Sequence, residues 1–150
     1  MDRTARCRWV AGYRFDSESH TGKTIRLDGW KDREDPEAGP TPAELVPISL
    51  GACTGMDVVH IMGKMKVEFE ALEVEVNSTL PDTYPKHFET MTVLYHFTGS
   101  DLDPAKLEKA IALSRDTYCV VSQSLIPKAE ITHLYTINGG EPVEVAEAAK

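Results

Sequence analysis

Residues 41–65 read TPAELVPISLGACTGMDVVHIMGKM, a largely apolar stretch with Cys53 at its middle. Thr41 as N-cap, Pro42 at the first helical position and Glu44 at the third predict a helix that opens with a capping box. The apolar side chains that follow go most of the way around the helix, which is typical of a helix enclosed on nearly every side. The stretch therefore predicts a central helix around which the rest of the chain packs.

Two expectations follow for the chemistry of this helix. Pro47 lies one turn in, where it removes a backbone donor and crowds the preceding turn, so we expect a kink or short break there. Such a bend would swing Glu44 towards Cys53. Because apolar residues surround it, Cys53 is predicted to be buried.

Composition limits the classes of function. The 150 residues carry 16 basic against 24 acidic side chains, a formal net charge of −8, and show no basic patch, which excludes a nucleic-acid partner. The first ten residues lack the apolar core of a signal peptide, and no run of 18 apolar residues occurs, so we expect a cytoplasmic protein without a membrane partner. Three cysteines without CxxC spacing fit neither a disulfide framework nor a zinc site.

The remaining segments predict strands and two shorter helices. Residues 6–15 and 24–29 predict an N-terminal β-hairpin, followed by a charged surface loop at 30–40. Further elements are expected as strands at 72–78, 88–98 and 129–137 and as helices at 103–116 and 120–126, with a loosely held tail at 141–150. This order has no regular βαβ alternation, which favours a single α+β domain, residues 1–150, with mainly antiparallel sheet.

Cys53 and Cys119 both lie in apolar helical contexts, and two interpretations are open. Free cysteine is among the most buried residue types, so both could be core side chains. Alternatively they meet in space as an attacking and a resolving thiol. Because an apolar site disfavours a thiolate, a reactive Cys53 would need a nearby cation, most naturally an arginine.

Two segments carry a resemblance to a known family. GPTPAELVPISLGACTGMDVV at 39–59 and DTYCVVSQSLIPKAEITH at 116–133 resemble the two signature segments of the OsmC/Ohr family of thiol-dependent peroxidases. The resemblance covers nearly the whole chain in element order and is closest to a less-characterised OsmC-like branch. It implies the OsmC-like α+β fold and an intertwined homodimer with the cysteine sites at the subunit interface.

The resemblance also implies roles for individual residues. Cys53 corresponds to the reactive cysteine and Cys119 to the resolving one, although Val120 stands where many members carry proline. Glu44 corresponds to the carboxylate that holds an arginine over the reactive sulfur, a role that can coexist with helix capping. The arginine is expected to be Arg14, with Arg26 and Arg33 as the other candidates.

Other candidate residues predict little chemistry. His60, seven positions after Cys53, lies roughly 10 Å further along a helix, too far to form a cysteine–histidine dyad, and is expected to be structural. Asp57 is expected to cap or pair elsewhere, because a carboxylate beside a thiol disfavours its ionisation. Cys7 is expected to be incidental. The remaining histidines lack metal-ligand spacing, so neither a metal nor a cofactor is predicted.

The leading hypothesis is a peroxidase that reduces organic, including fatty-acid, hydroperoxides through Cys53 and Cys119, with an external dithiol reductant such as a lipoylated protein. A homodimer that binds an apolar ligand or senses oxidants without turnover is the rival from another class. A structural dimer is the third possibility. Only the peroxidase requires a cation at the sulfur.

Overall fold

The computed structural model describes residues 3–29, 35 and 38–146. The chain forms two compact units, which divide between Val46 and Pro47. The predicted single domain stays a prediction.

The N-terminal unit contains a three-stranded antiparallel sheet. Its strands are β1 (Arg6–Ala11), β2 (Arg14–Glu18) and β3 (Thr24–Leu27), in the order β1-β2-β3. The predicted single strand at 6–15 is wrong, because the backbone turns between β1 and β2. Gly12 takes a φ of 53° at this turn, a left-handed conformation that glycine adopts without steric cost. The expected hairpin is therefore a three-stranded meander.

The central helix, α1, runs from Leu45 to Lys64. The predicted capping box forms ahead of it: the Glu44 carboxylate accepts from the Thr41 amide at 2.7 Å, and the Glu44 amide donates to Thr41 Oγ1 at 3.4 Å. Residues 42–44 form a turn, so α1 begins later than predicted. Pro47 consequently lies in the first turn of α1, where its missing N–H has no helical partner to lose, and the expected break is absent from 45–64.

One face of α1 packs against the C-terminal sheet. Leu50, Thr54, Val58 and Met62 are fully buried. A Cβ at Gly51 would lie 3.0 Å from the Val76 side chain, so the helix and sheet approach closely there. By length and composition alone α1 could cross a membrane, a test that the core helix of a soluble protein also passes.

The opposite face of α1 is exposed in the single chain. Ile48, Met56 and Val59 are 55%, 72% and 47% exposed. The prediction of a helix enclosed on nearly every side is therefore wrong for one copy of the chain, because the described residues leave these three apolar side chains exposed.

The C-terminal unit contains a four-stranded sheet in the order β4-β5-β6-β7. Its strands are β4 (Ala71–Thr79), β5 (Thr90–Thr98), β6 (Glu130–Ile137) and β7 (Val143–Glu144). β5 and β6 pair in parallel, and the other neighbours pair antiparallel. The alternation predicted for β5 is confirmed, since Met91, Val93, Tyr95 and Phe97 are all buried. The class is α+β, as predicted, with mainly antiparallel pairing.

The crossover from β5 to β6 contains three helical segments. α2 (Pro104–Leu113) starts where predicted, with the Asp103 carboxylate accepting from the Ala105 amide at 3.0 Å. It ends earlier than predicted and continues as a π-helical turn, Ser114–Tyr118. The short helix α3 (Val120–Leu125) follows, with Cys119 as its N-cap.

The segment after β6 is more ordered than the predicted tail. β7 pairs Val143 with Tyr135, and the Arg115 guanidinium donates to the Val145 carbonyl at 3.3 Å and to the Ala146 carbonyl at 3.2 Å. The end of the chain from residue 147 lies outside the described residues.

Candidate active site

Two cysteines that are distant in sequence meet in the C-terminal unit. Cys53 lies in the middle of α1, and Cys119 caps α3 after the π-helical turn. Their sulfurs and a carboxylate oxygen of Asp57 all lie within 4.8 Å of one another. Both thiols are free. Since a disulfide needs sulfurs about 2 Å apart, the two free sulfurs must move closer before a bond forms.

The two thiols differ in exposure. Cys53 is half-buried, so the expectation of a buried residue is met only in part, whereas Cys119 is fully buried. Burial, and then the hydrogen bond with Cys53, raise the pKa of Cys119 to about 12, against the weaker effect of the Ser122 amide that donates to its sulfur at 3.3 Å. Cys119 is therefore a protonated thiol at neutral pH. A molecule that arrives from solvent meets Cys53 first.

Asp57 is a site residue that the sequence reasoning assigned elsewhere. It does pair away from the thiols, since Ser114 Oγ donates to its Oδ2 at 3.0 Å. It nevertheless stays beside both sulfurs. The available signal was the spacing of four positions between Cys53 and Asp57, which places both on one face of a helix.

A buried polar pair lies on the sheet beneath this region. The Tyr95 hydroxyl and His133 Nδ1 are 3.2 Å apart, and both residues are almost fully buried. Burial, with the positive charge of Arg115, lowers the pKa of His133 to about 4, so its imidazole is neutral at physiological pH. Sequence reasoning grouped His133 with the scattered histidines, because alternation along β6 does not reveal burial.

A cavity of about 530 Å³ adjoins this pair. Arg115, Ser122 and His133 are among the residues that line it. His133 Nε2 and Ser122 Oγ are buried without a hydrogen-bond partner in the described part of the chain. The residues that line the cavity therefore include two buried polar side chains, His133 and Ser122, each with an atom that is unpaired among the described residues.

Arg14 lies in the N-terminal unit and is held by carboxylates. Its Nε donates to Asp28 at 2.6 Å, and its Nη2 donates to Asp35 at 3.1 Å. Asp28 is 1% exposed and also accepts from the Gly39 amide at 2.7 Å. This amide and the Arg14 guanidinium hold the pKa of Asp28 below its usual range. Through Asp28, these hydrogen bonds link Arg14 in β2 to the backbone of Gly39, which precedes α1 in the sequence.

The other predicted residues are placed as follows. Arg26 pairs with Asp16 at 3.0 Å across β2 and β3, and Arg33 lies outside the described residues. Glu44 caps the turn before α1 through Thr41. Because Arg14 and Glu44 belong to one unit and Cys53 to the other, their predicted action on the sulfur stays a prediction.

His60 and Cys7 are two further residues for which the sequence predicted no chemistry. His60 is exposed on α1, and Cys7 is exposed on β1. Neither the dyad excluded for His60 nor a partner for Cys7 is seen among the contacts of the described residues.

Comparison with known proteins shows which family the chain belongs to. A model of the OsmC-like protein family matches residues 34–133, which include both cysteines and Asp57. The chain belongs to the OsmC family. Within it, the chain is 33% identical over 133 residues to protein YhfA of Escherichia coli, covering 89% of this chain and 96% of YhfA.

Solved structures share the OsmC fold. A hypothetical protein from Aquifex aeolicus superimposes with a TM-score of 0.81 at 23% identity, covering 94% of this chain and 99% of that one. The organic hydroperoxide resistance protein OhrB of Bacillus subtilis superimposes with a TM-score of 0.65 at 16% identity, covering 91% and 98%. At these identities the likeness shows the fold. The OsmC family match includes Glu44 but begins after Arg14.

Proposed function

We propose that this protein is a thiol-dependent peroxidase that reduces organic hydroperoxides, including those of fatty acids. The observation that carries the proposal is the meeting of a half-buried Cys53 with a fully buried, protonated Cys119 within 4.8 Å. Membership of the OsmC family supports a redox-related role, since similar folds include an organic hydroperoxide resistance protein.

The reaction divides between the two sulfurs. The Cys53 thiolate attacks the distal oxygen of the hydroperoxide, the O–O bond breaks, and the alkoxide takes up a proton and leaves as an alcohol. Cys53 is then a sulfenic acid. The Cys119 sulfur attacks it, a disulfide forms, and the sulfenic oxygen leaves as water with the Cys119 proton. An external dithiol, such as a lipoylated protein, reduces the disulfide by exchange and becomes a disulfide itself.

Exposure assigns the order of these steps. A fully buried Cys119 is poorly placed to meet a hydroperoxide, and its raised pKa keeps the proton that the resolving step later releases. Cys53 is the more accessible sulfur. The assignment of Cys53 as attacking and Cys119 as resolving thiol rests on this difference.

Arg14 is our proposed activating cation, positioned by carboxylates. A guanidinium near Cys53 favours its thiolate and can also hold the peroxide oxygens by paired N–H donors. Asp28 fixes the Arg14 guanidinium at 2.6 Å, and Glu44 is proposed to complete the carboxylate support.

Apolar side chains next to the cysteines favour greasy substrates. Met56 lies one helical turn after Cys53 and is 72% exposed, and Val120 follows Cys119 and is 60% exposed. Tyr118 is 59% exposed. An alkyl hydroperoxide can lay its chain against such a surface, whereas hydrogen peroxide gains nothing from it.

We further propose that the protein acts as a cytoplasmic homodimer. All six residues of β1 are exposed, as is the apolar face of α1 that holds Ile48, Met56 and Val59. A second copy of the chain is the occupant that would bury this face.

Stopped-flow oxidation of the reduced protein tests the proposal. Cumene hydroperoxide and hydrogen peroxide are compared at equal concentration in a Cys7→Ser background, which removes the third, exposed thiol. We expect the organic substrate to react faster. Rates no faster than those of a free thiol for both substrates would remove the peroxidase and leave the ligand-binding or sensing dimer.

Two variants separate the roles of the sulfurs. Cys53→Ser is expected to abolish the reaction, whereas Cys119→Ser should keep the first oxidation, accumulate a sulfenic acid that dimedone traps, and lose turnover with a dithiol. If Cys53→Ser oxidises at the wild-type rate, the assignment of the reactive sulfur is wrong.

A further inference from the structure

A second chemistry is available at the thiol pair, because three metal-ligating groups converge there. Cys53, Asp57 and Cys119 each offer one ligand atom, and these atoms lie within 4.8 Å of one another. In a tetrahedral zinc site with Zn–S of about 2.3 Å and Zn–O of about 2.1 Å, neighbouring ligand atoms lie roughly 3.4 to 3.8 Å apart. The 4.8 Å limit exceeds these separations by no more than about 1.4 Å, so small side-chain movements bring the three atoms to that geometry. The sequence did not reveal this cluster, because its ligands do not have the CxxC spacing of local zinc motifs.

The groups around the cluster are suited to support bound metal. Ser114 Oγ donates to Asp57 Oδ2, which orients the carboxylate, and Oδ1 has no donor among the described residues. The Ser122 amide donates to Cys119 Sγ at 3.3 Å, a contact that stabilises charge on a ligating sulfur. Such outer contacts orient ligands and tune metal affinity.

Access and ligand type select the metal. Cys53 and Asp57 are half-buried, so an ion can reach the cluster from their side, while Cys119 forms its buried wall. Two soft sulfurs with one oxygen suit Zn²⁺ and disfavour Mg²⁺ and Ca²⁺, which require oxygen ligands. Three protein ligands leave a fourth position for water.

We propose that reduced Cys53 and Cys119, together with Asp57, bind one Zn²⁺ per chain. Ligation requires both sulfurs as thiolates, so Zn²⁺ binding is coupled to proton release and the affinity rises with pH. The disulfide form has no thiolate to offer and does not bind. One consequence rests on the proposed peroxidase: the metal occupies the electron pairs that would attack a hydroperoxide, so the zinc form is inactive until a chelator removes the ion.

The test uses Co²⁺ as a spectroscopic substitute on the full-length, reduced protein under anaerobic conditions. We expect one equivalent of Co²⁺ to give a thiolate-to-metal charge-transfer band and the visible bands of a tetrahedral site, both displaced by Zn²⁺. Competition with a chromophoric chelator then gives the Zn²⁺ affinity. Protein oxidised with diamide should show no band.

Variants with matched controls locate the site. Cys53→Ser and Cys119→Ser should each lose most of the charge-transfer intensity. Asp57→Asn should weaken Zn²⁺ by more than about tenfold, since even supporting contacts are worth about that much. Cys7→Ser removes an exposed thiol outside the cluster, and Asp82→Asn removes an exposed carboxylate, so both should bind as wild type.

The outcomes decide the proposal and separate it from the peroxidase. No charge-transfer band in the wild type, a band that survives Cys53→Ser, or a band lost with Cys7→Ser would overturn it. Proton release measured with an indicator dye in weak buffer should reach at least one per Zn²⁺, from Cys119, and does not depend on any variant folding. A band without hydroperoxide reduction defeats only the peroxidase, and reduction without a band defeats only the metal site.

Discussion

Replacing His133 by glutamine should remove a large part of the acid sensitivity of the fold. His133 is 1% exposed, its Nδ1 is 3.2 Å from the Tyr95 hydroxyl, and its pKa is lowered from 6.5 to about 4. Burial is the main cause, Arg115 adds to it, and Asp116 opposes it. Glutamine retains hydrogen-bonding groups but does not titrate.

The sign follows from the lowered pKa. Above pH 6.5 the imidazole is neutral in both the folded and unfolded chain, so it contributes no pH dependence. As the pH falls from 6.5 towards 4, the unfolded chain binds a proton that the folded chain refuses, and folding loses free energy. A difference of about 2.5 pKa units corresponds to about 3 kcal/mol, most of which is lost by pH 4.5.

Denaturant unfolding at pH 7.5 and pH 4.5, at one fixed protein concentration, measures this effect. The wild type should lose about 2 to 3 kcal/mol more than His133→Gln between the two pH values. Carboxylates with lowered pKa, such as Asp28, also lose stability in acid, but they do so in both proteins and cancel in the difference. Equal losses in the two proteins would show that His133 titrates normally and would refute the buried neutral imidazole.

Three further perturbations test packing, activation and assembly. Gly51→Val should destabilise the fold by about 1 to 3 kcal/mol, because a Cβ at this position already lies 3.0 Å from the Val76 side chain of β4. Gly63→Ala should not destabilise the fold, because a Cβ there has nothing within 4 Å. Thermal melts compare the two variants. Arg14→Lys should slow alkylation of Cys53 by tenfold or more at neutral pH, whereas Arg26→Lys should leave the rate unchanged. Equal alkylation rates in the two variants would show that Arg14 does not activate Cys53. Met56→Glu should shift the protein from dimer to monomer in analytical ultracentrifugation, and an unchanged sedimentation coefficient would place the interface on another face.

Local chemistry in the sequence determined several elements of the fold. Asp103 followed by Pro104 predicted the start of α2, and the alternation across β5 predicted its buried side chains. Thr41 and Glu44 predicted a capping box that forms. These features depend on residues within one or two turns, so a single sequence contains the whole cause. The start of α1 was predicted too early. Residues 42–44 form a turn instead, and Pro47 then lies in the first turn of the helix, where proline is tolerated.

Much of the candidate site was accessible only through the family resemblance. Periodicity alone favoured core packing for Cys53 and Cys119, and nothing in it indicated that they meet. The resemblance supplied the pairing, and the tertiary structure brings the sulfurs within 4.8 Å. The proposed role of Arg14 at Cys53 stays a prediction, because the two residues belong to different compact units.

The sequence by itself determined most of the helices and strands, though not all of their bounds, and which side chains can ligate, titrate or react. Only the tertiary structure decided that Asp57 stays beside both thiols, that His133 is buried against Tyr95, and that β5 pairs with β6 in parallel. The physical reason is range: capping and alternation act between neighbours in the chain, whereas exposure and proximity depend on which distant segment covers a given face.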